Sequence, residues 1–171
     1  MDTGAILLQE RIPIDPGETA EMLAPRLAEL GARLVVTTLD RLEEGSVKPR
    51  PQPSDGANVT PMLRRNFAKV DWSMPARQLV NRLRGFTPWP GMYGKFRGGR
   101  LKIHGLAEIK PSPPGNEEPG TVIAVESDGI VVRCGRGSAA KITEMQREGR
   151  RRMPADAFLI GERVSPGEVF S

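Results

Sequence analysis

The sequence has very few of the residues from which disulfides, metal sites and acid–base centres are built. Its 171 residues include one cysteine, Cys134, and one histidine, His104. A lone cysteine excludes an internal disulfide framework and suits a reducing compartment. His104 has no cysteine or carboxylate at a metal-ligand spacing, so we expect a structural or surface role for it and no metal site. Cys134 lies in an apolar run, which predicts a small buried residue.

Long apolar runs and leader segments are also absent from the sequence. No stretch approaches the roughly 20 apolar residues that a membrane-spanning helix needs, and no signal-peptide pattern follows Met1. We therefore expect a cytoplasmic protein with no membrane partner. The sequence also lacks a phosphate-binding glycine loop, a zinc spacing and a nucleophile elbow, so by itself it is not typical of a complete enzyme.

Acidic residues are nearly missing from the span 48–104. This span has twelve Lys/Arg and only Asp55 and Asp71 as acids, whereas residues 1–47 have four Lys/Arg and nine Asp/Glu. Such a concentration of positive charge favours a polyanionic partner, because cations that neutralise phosphates release counterions. The alternative is an ordinary solvated surface, and the charge pattern alone leaves both open.

The first 47 residues predict a strand and two helices. Residues 5–14 predict the strand, and Thr19 is the expected N-cap of the first helix. Apolar residues at helical spacing continue on both sides of Gly31, which predicts two helices; Pro25 kinks or shortens the first and Gly45 ends the second. One strand and two helices cannot form a two-sided α/β core. They either pack on the rest of the chain or belong to a larger sheet.

The middle of the chain predicts a linker, a helix and a corner. Residues 48–66 are rich in proline and basic residues, which predicts an extended, semi-rigid basic linker. An amphipathic helix with Ser73 as its cap should follow. Prolines on both sides of Trp89 then predict a rigid corner. We expect Trp72 and Trp89 to be packing anchors rather than base-stacking surfaces.

Beyond the corner the apolar period changes to two, the period of a strand. Short strands separated by tight turns predict a small closed barrel of the oligonucleotide-binding (OB) type, and the fold class is α+β. The expected strands are 93–97, 100–108, 120–126, 129–135 and 139–146, with a short helix at 154–160 and a final extended segment at 164–169.

Six segments, taken in chain order, carry a family resemblance. They are Met-Asp-Thr-Gly-Ala-Ile-Leu-Leu at 1–8, Leu-Ala-Glu-Leu-Gly-Ala at 27–32, Val-Asp-Trp-Ser at 70–73, Phe-Thr-Pro-Trp-Pro-Gly at 86–91, Gly-Arg-Leu-Lys-Ile at 99–103 and Glu-Gly-Arg-Arg-Arg-Met-Pro-Ala-Asp-Ala-Phe-Leu at 148–159. On these residues the chain resembles the C-terminal half to two-thirds of the methionyl-tRNA formyltransferases. The resemblance implies that 1–47 ends a Rossmann-like catalytic domain, 48–66 is the linker, and 67–171 is an OB-like tRNA-binding domain of five to six strands.

The resemblance also implies an activity. Members of this family transfer a formyl group from 10-formyltetrahydrofolate to the methionine amine of initiator tRNA, and a monomer is expected. Asp2 matches the family's Asp that orients its catalytic histidine. The family's Asn-x-His segment and Ser-Leu-Leu-Pro folate loop have no counterpart in this sequence. We therefore expect the chain alone to be an inactive fragment, and His104 does not take over the missing role.

Basic side chains are the expected contacts to tRNA. Two alternatives stay open, namely a tRNA-binding module without catalysis and a fragment of a formyltransferase that acts on an amino-sugar nucleotide. The cationic span and the tail at 148–159 favour tRNA. The predicted tRNA-binding residues are Lys48, Arg50, Arg64, Arg65, Lys69, Lys95, Arg97, Arg100, Lys102, Arg150, Arg151 and Arg152.

Overall fold

A computed structural model describes residues 3–171 and divides the chain into two compact units. The first unit extends to Met62 and the second comprises Leu63–Ser171. The division falls inside the linker that the sequence predicts at 48–66. Asp2, the expected catalytic residue, lies outside the described residues.

Within its described residues the first unit contains one helix, α1 (Ala20–Glu43), where the sequence predicts two. Thr19 caps it as predicted, because its hydroxyl accepts a hydrogen bond from the Met22 amide at 3.3 Å. Gly45, with a φ of +66°, follows the last turn in the position that favours glycine. The expected break at Gly31 is wrong, since one interior glycine costs a helix only about 1 kcal/mol. Pro25 lies in the second turn, so it interrupts the hydrogen-bond ladder near one end.

The predicted strand at 5–14 is reduced to a single bridge. Ile6 and Arg50 exchange two backbone hydrogen bonds of 2.8 and 3.0 Å, and residues 7–14 have no regular structure. The apolar side of α1 is largely open, with Val35 and Leu39 more than half exposed. Monomeric proteins rarely leave such a stripe uncovered. The Rossmann-like assignment of this region stays a prediction.

The second unit is built on a six-stranded antiparallel sheet, and its five longer strands begin and end within one or two residues of the predicted ones. Their order is β1-β2-β5-β4-β3, and β6 pairs with β5. The strands are β1 (Met92–Phe96), β2 (Gly99–Glu108), β3 (Val122–Glu126), β4 (Gly129–Arg133), β5 (Ala139–Arg147) and β6 (Met153–Pro154).

The sheet does not close into the expected barrel, because its edge strands β1 and β3 do not pair with each other. The C-terminal segment 167–171 runs between these edges instead. Ser171 exchanges backbone hydrogen bonds with Lys95 of β1, at 2.5 and 2.9 Å. On the other side, the Val122 amide of β3 donates to the Glu168 carbonyl at 2.7 Å. A turn at Pro166–Gly167 shortens the predicted extended segment, so only isolated bridges form and no full strand fills the gap.

Two helices cover the sheet, α2 (Ala76–Phe86) and α3 (Ala155–Gly161). Leu79 and Leu83 of α2 are buried in one apolar cluster with residues of every strand except the short β6. Burying each such leucine stabilises the fold by about 1.5–3 kcal/mol. The predicted cap Ser73 is wrong, because the first amide of α2, that of Ala76, donates to the Ser138 hydroxyl at 2.8 Å.

The corner predicted around Trp89 joins α2 to β1. The Thr87 hydroxyl donates to the Leu83 carbonyl at 2.8 Å, and the Gly91 amide donates to the Phe86 carbonyl at 2.8 Å. The peptide bonds before both prolines of the corner are cis. These contacts fasten the corner to the end of α2 and leave Trp89 at its tip.

Candidate nucleic-acid interface

Strand register in the second unit places three basic side chains on one face of the sheet. Lys95 of β1 lies directly opposite Arg100 of β2, and Tyr93 of β1 lies opposite Lys102. Residues two apart along a strand point to the same face. The alternate residues Leu101 and Ile103 are buried, which leaves Lys95, Arg100 and Lys102 on the exposed side.

Two further cations reach this region from the segment before α2. This segment contains a 3-10 helix (Arg65–Ala68) followed by Lys69, which forms a parallel bridge with Tyr93 of β1. Arg65 and Lys69 are both exposed. We call Arg65, Lys69, Lys95, Arg100 and Lys102 the cationic face.

The charge of the cationic face is not neutralised locally. None of its five members forms an ion pair with a carboxylate among residues 3–171. Like charges placed opposite each other on neighbouring strands, such as Lys95 and Arg100, repel and are destabilising. A protein that keeps such a pair without a counter-ion presents a strong positive potential to an anionic ligand.

One member of the cationic face is fixed in place by an aromatic ring. The Arg100 guanidinium lies 3.9 Å from the centre of the Tyr93 ring. A guanidinium that stacks on an aromatic ring keeps its N–H groups at the edge for other acceptors. Arg100 is therefore oriented to donate to a phosphate before any ligand arrives.

The corner and the cationic face meet at a pocket of about 480 Å³, which we call the Trp89 pocket. Pro88, Trp89 and Pro90 line one part of it, and Arg65, Arg100 and Lys102 are also in its lining. Trp89 is 53% exposed, whereas Trp72 is 5% exposed and packs edge-on against Phe170. The expectation of a packing anchor is therefore confirmed for Trp72 and wrong for Trp89.

Two predicted tRNA-binding arginines are engaged with carboxylates of the protein itself. Arg97 forms a two-pronged contact with Glu168, at 2.7 and 3.0 Å, and also contacts Glu162 at 3.2 Å. Arg152 makes a two-pronged contact with Glu144 at 2.5 Å. The bonded guanidinium groups lower the pKa of Glu168 and of Glu144. These arginines fasten the C-terminal segment and the end of β5.

The remaining predicted contacts lie outside the cationic face. Lys48 and Arg50 belong to the first unit, where the Arg50 guanidinium donates to the Gln9 side chain at 2.9 Å. Arg64 is exposed beside Arg65, and Arg150 and Arg151 are exposed after β5. Asp2 lies outside the described residues. The tRNA contacts of all these residues stay predictions.

His104 and Cys134, for which the sequence predicts structural roles, are each at least half-buried. His104 is half-buried and its Nε2 lies 3.0 Å from Oε1 of Gln146. Cys134 is buried as predicted, and this burial raises the pKa of its thiol to about 12.

Among residues 3–171, no three His, Cys, Asp or Glu side chains are grouped so that they could bind a metal. No helix in the described part of the chain is both long and apolar enough to cross a bilayer.

Sequence reasoning missed the contribution of two aromatic residues to this interface. Trp89 carried a signal, because the two flanking prolines place the tryptophan in a rigid corner. Tyr93 carried another, because it is the only tyrosine and lies two residues from Lys95 in a predicted strand. Only the strand register shows that Arg100 lies diagonally across from it.

Comparisons with known proteins confirm the family resemblance. Residues 62–163 match the family model described as "Formyl transferase, C-terminal domain". The chain is 42% identical over 168 residues to the methionyl-tRNA formyltransferase of Koribacter versatilis, covering 98% of this chain and 52% of that protein. It is 41% identical over 167 residues to the methionyl-tRNA formyltransferase of Myxococcus xanthus, covering 98% of this chain and 52% of that protein. The chain thus spans about half the length of the curated relatives it matches.

A solved structure also resembles the chain. A variant of HypX from Aquifex aeolicus superposes with a TM-score of 0.59, at 21% identity, over 94% of this chain and 29% of HypX. At that level of identity the likeness concerns the fold alone.

Proposed function

The chain belongs to the formyl transferase family and corresponds to the C-terminal part of methionyl-tRNA formyltransferases, and we propose that its second unit binds initiator methionyl-tRNA. The observation that carries the proposal is the cationic face, five basic residues without a carboxylate partner among the described residues. Cationic faces of this kind bind the phosphate backbone of nucleic acids, because their charges neutralise phosphates and release counterions. The OB-like character of this unit is part of the proposal.

The reaction we propose for the intact enzyme is formyl transfer from 10-formyltetrahydrofolate to the methionine amine. The amine loses a proton as it attacks the formyl carbon, and the formyl oxygen gains negative charge that a fixed donor must stabilise. In this proposal the cationic face holds the tRNA body so that the amine stays at the reaction centre. Positioning of this kind replaces an encounter between two molecules with a step inside one complex.

We propose that the 171-residue chain does not carry out this transfer by itself. The relatives are about twice as long, and the exposed apolar side of α1 supports a first unit that packs against further polypeptide. No described residue is assigned to the folate, and Asp2 remains the proposed partner of a catalytic histidine. As a translation enzyme it would act in the cytoplasm, as a monomer and without a metal.

The test is binding of initiator tRNA to the 171-residue chain and to a variant with Lys95→Gln, Arg100→Gln and Lys102→Gln. We expect the variant to bind at least about tenfold more weakly near 0.1 M salt, because three phosphate contacts are lost. The matched control is Arg77→Gln, an exposed arginine of α2 outside the cationic face. Equal affinity of the triple variant and the control would contradict the proposal.

A second assay separates binding from catalysis. The chain is fused to the N-terminal half of a relative and tested with methionyl-tRNA and with an amino-sugar nucleotide as acceptors. We expect formyl-methionyl-tRNA from the fusion and no product from the chain alone. Turnover by the chain alone would overturn the assignment of inactivity, and transfer to the sugar would support the alternative acceptor.

A further inference from the structure

The exposed tryptophan of the corner is not a member of the buried apolar cluster of the second unit. Trp89 leaves about half of its surface open, although burying an indole is one of the larger apolar gains available to a fold. The prolines on either side have no N–H to donate, so this corner offers a flat apolar face and few hydrogen-bond donors. A ligand for such a surface is itself flat and apolar on one side.

The rest of the Trp89 pocket has the opposite character. Arg65, Arg100 and Lys102 line it without a carboxylate partner among residues 3–171, and Arg100 is already stacked on Tyr93. These three cations favour a ligand that carries an anionic group beside its flat, apolar part. A nucleotide joins both features in one unit, since its base has a π-face and its phosphate carries the charge.

Gln146 and Glu148 also line the Trp89 pocket. The amide of Gln146 is used at both ends: its Oε1 faces His104 Nε2 at 3.0 Å and its Nε2 donates to the Arg150 carbonyl at 2.8 Å. Among the described residues, Glu148 is the one carboxylate in the lining, and it repels any phosphate that comes close to it. The anion is therefore directed to the cations, and the base to Trp89.

We propose that the Trp89 pocket binds one unpaired nucleotide of an RNA strand, with its base stacked on Trp89 and its phosphate held by Arg65, Arg100 and Lys102. This rests on the proposed tRNA-binding function. A paired base keeps both faces inside its helix and is out of reach of the indole. The site therefore selects a loop, bulge or end, and it tolerates different bases because stacking reads no base edge.

The test follows two signals from the 171-residue chain and a short single-stranded oligouridylate. Binding should quench the emission of exposed Trp89 and leave that of buried Trp72 in place. Trp89→Leu should abolish the quench and weaken binding by about 5- to 150-fold, the range found when one stacking residue is removed. Trp89→Phe keeps a stacking ring and should retain most of the affinity.

Three comparisons make the outcome decisive. A duplex of the same length should bind Trp89→Leu as well as it binds the unaltered chain. Uridine monophosphate should bind far more weakly than the oligonucleotide, and equal binding would identify a pocket for free nucleotides and overturn the strand assignment. Ile160→Ala, which removes an exposed apolar side chain of α3 outside the pocket, should change neither signal.

The failure of this inference differs from the failure of the proposed function. Initiator tRNA is titrated in parallel with the unaltered chain and with Trp89→Leu. If tRNA binds both equally well and no quench is seen, the nucleotide site is wrong and tRNA binding stands. If the unaltered chain binds no RNA at all, the proposed function and the nucleotide site both fall.

Discussion

Two arginines at either end of one hairpin turn show how surroundings decide the role of a charge. Arg97 has a left-handed φ of +50° and its guanidinium is bonded to Glu168. Arg100 lies three residues later, has no carboxylate partner within residues 3–171, and stacks on Tyr93. The first is part of the protein's own framework, and the second is available to a phosphate. Sequence reasoning placed both in one tRNA-binding set.

The lone cysteine gives a prediction about reactivity. Burial raises the pKa of the Cys134 thiol to about 12, so almost none of it is thiolate near neutral pH. We expect no reaction with an aromatic disulfide reagent at pH 8 in the native protein and one thiol per chain after unfolding in guanidinium. Rapid labelling of the native protein, followed by mass spectrometry, would contradict the buried position.

A glycine at a close approach of two backbones gives a prediction about stability. A Cβ at Gly135 would lie 1.7 Å from the Ser73 carbonyl oxygen, and backbone atoms have little room to move. Gly135→Ala should therefore lower the free energy of unfolding by about 1–3 kcal/mol, the usual cost of overpacking.

Gly85 of α2 supplies the matched control for this substitution. A Cβ at Gly85 meets nothing within 4 Å. Gly85→Ala should raise the free energy of unfolding by about 0.5–1 kcal/mol, because alanine favours a helix. Urea titrations followed by circular dichroism measure both changes, and a harmless Gly135→Ala would contradict the close approach.

At the scale of elements, the C-terminal segment completes the sheet that its strands leave open. Unpaired edge strands invite pairing with other chains. Here residues 167–171 cover part of β1 and part of β3 with backbone hydrogen bonds, and Phe170 stacks on Phe96 with ring centres 4.5 Å apart. Arg97 holds this segment through Glu168, and it also donates to the Arg163 carbonyl that precedes the segment. The ion pair is therefore part of what keeps the edges covered.

The Arg97–Glu168 pair predicts a pH dependence of stability. The pKa of Glu168 is lowered by the bond to Arg97 and by the Ser165 amide. The unfolded chain therefore binds a proton at Glu168 at a higher pH than the folded chain does. The stabilisation is present above the ordinary pKa of a glutamate and is lost as the pH falls through the lowered folded value.

Substitution of Glu168 checks this dependence. Glu168→Gln should lower the urea midpoint at pH 7, and the difference from the unaltered chain should shrink as the pH falls from about 5 towards 3. Glu118→Gln is the control, because the Glu118 side chain is exposed and forms no ion pair among the described residues. A difference that stays constant with pH would contradict the pairing.

Local sequence signals predicted the hairpins and missed what depends on distant partners. Gly98 and the Asp128–Gly129 pair indicated turns between strands, and β1, β2 and β4 lie where expected. The closed barrel was wrong because β1 and β3 do not pair with each other and the C-terminal segment between them forms only isolated bridges. The second helix was wrong because Gly31 looked like a break, although a helix tolerates one glycine.

The sequence predicted the basic residues of the candidate site, but not how the fold arranges them. The basic span pointed to Lys95, Arg100 and Lys102 before any strand pairing was known. The ion pairs of Arg97 and Arg152 could not be predicted from the sequence. Their carboxylate partners lie 71 and 8 residues away along the chain, and the fold brings them together. The exposure of Trp89 also depends on that folding.

At the scale of the whole molecule, the charge is divided between the two units. The first unit has six Lys/Arg and ten Asp/Glu, and the second has 19 and 11. Seven of the acids of the second unit are ion-paired to basic residues outside the cationic face. Within the described part of the chain the cationic face therefore has no ion-pair partner, even though about a quarter of the residues are charged.

The salt dependence of tRNA binding tests the central claim most directly, since it counts the phosphates that the protein neutralises. We predict that the logarithm of the association constant falls linearly with the logarithm of salt concentration, with a slope of about −3 to −5 for a five-cation face. The variant with Lys95→Gln, Arg100→Gln and Lys102→Gln should reduce the slope by about 2–3. A slope near zero, or one that the triple variant leaves unchanged, would contradict the claim that this face binds tRNA.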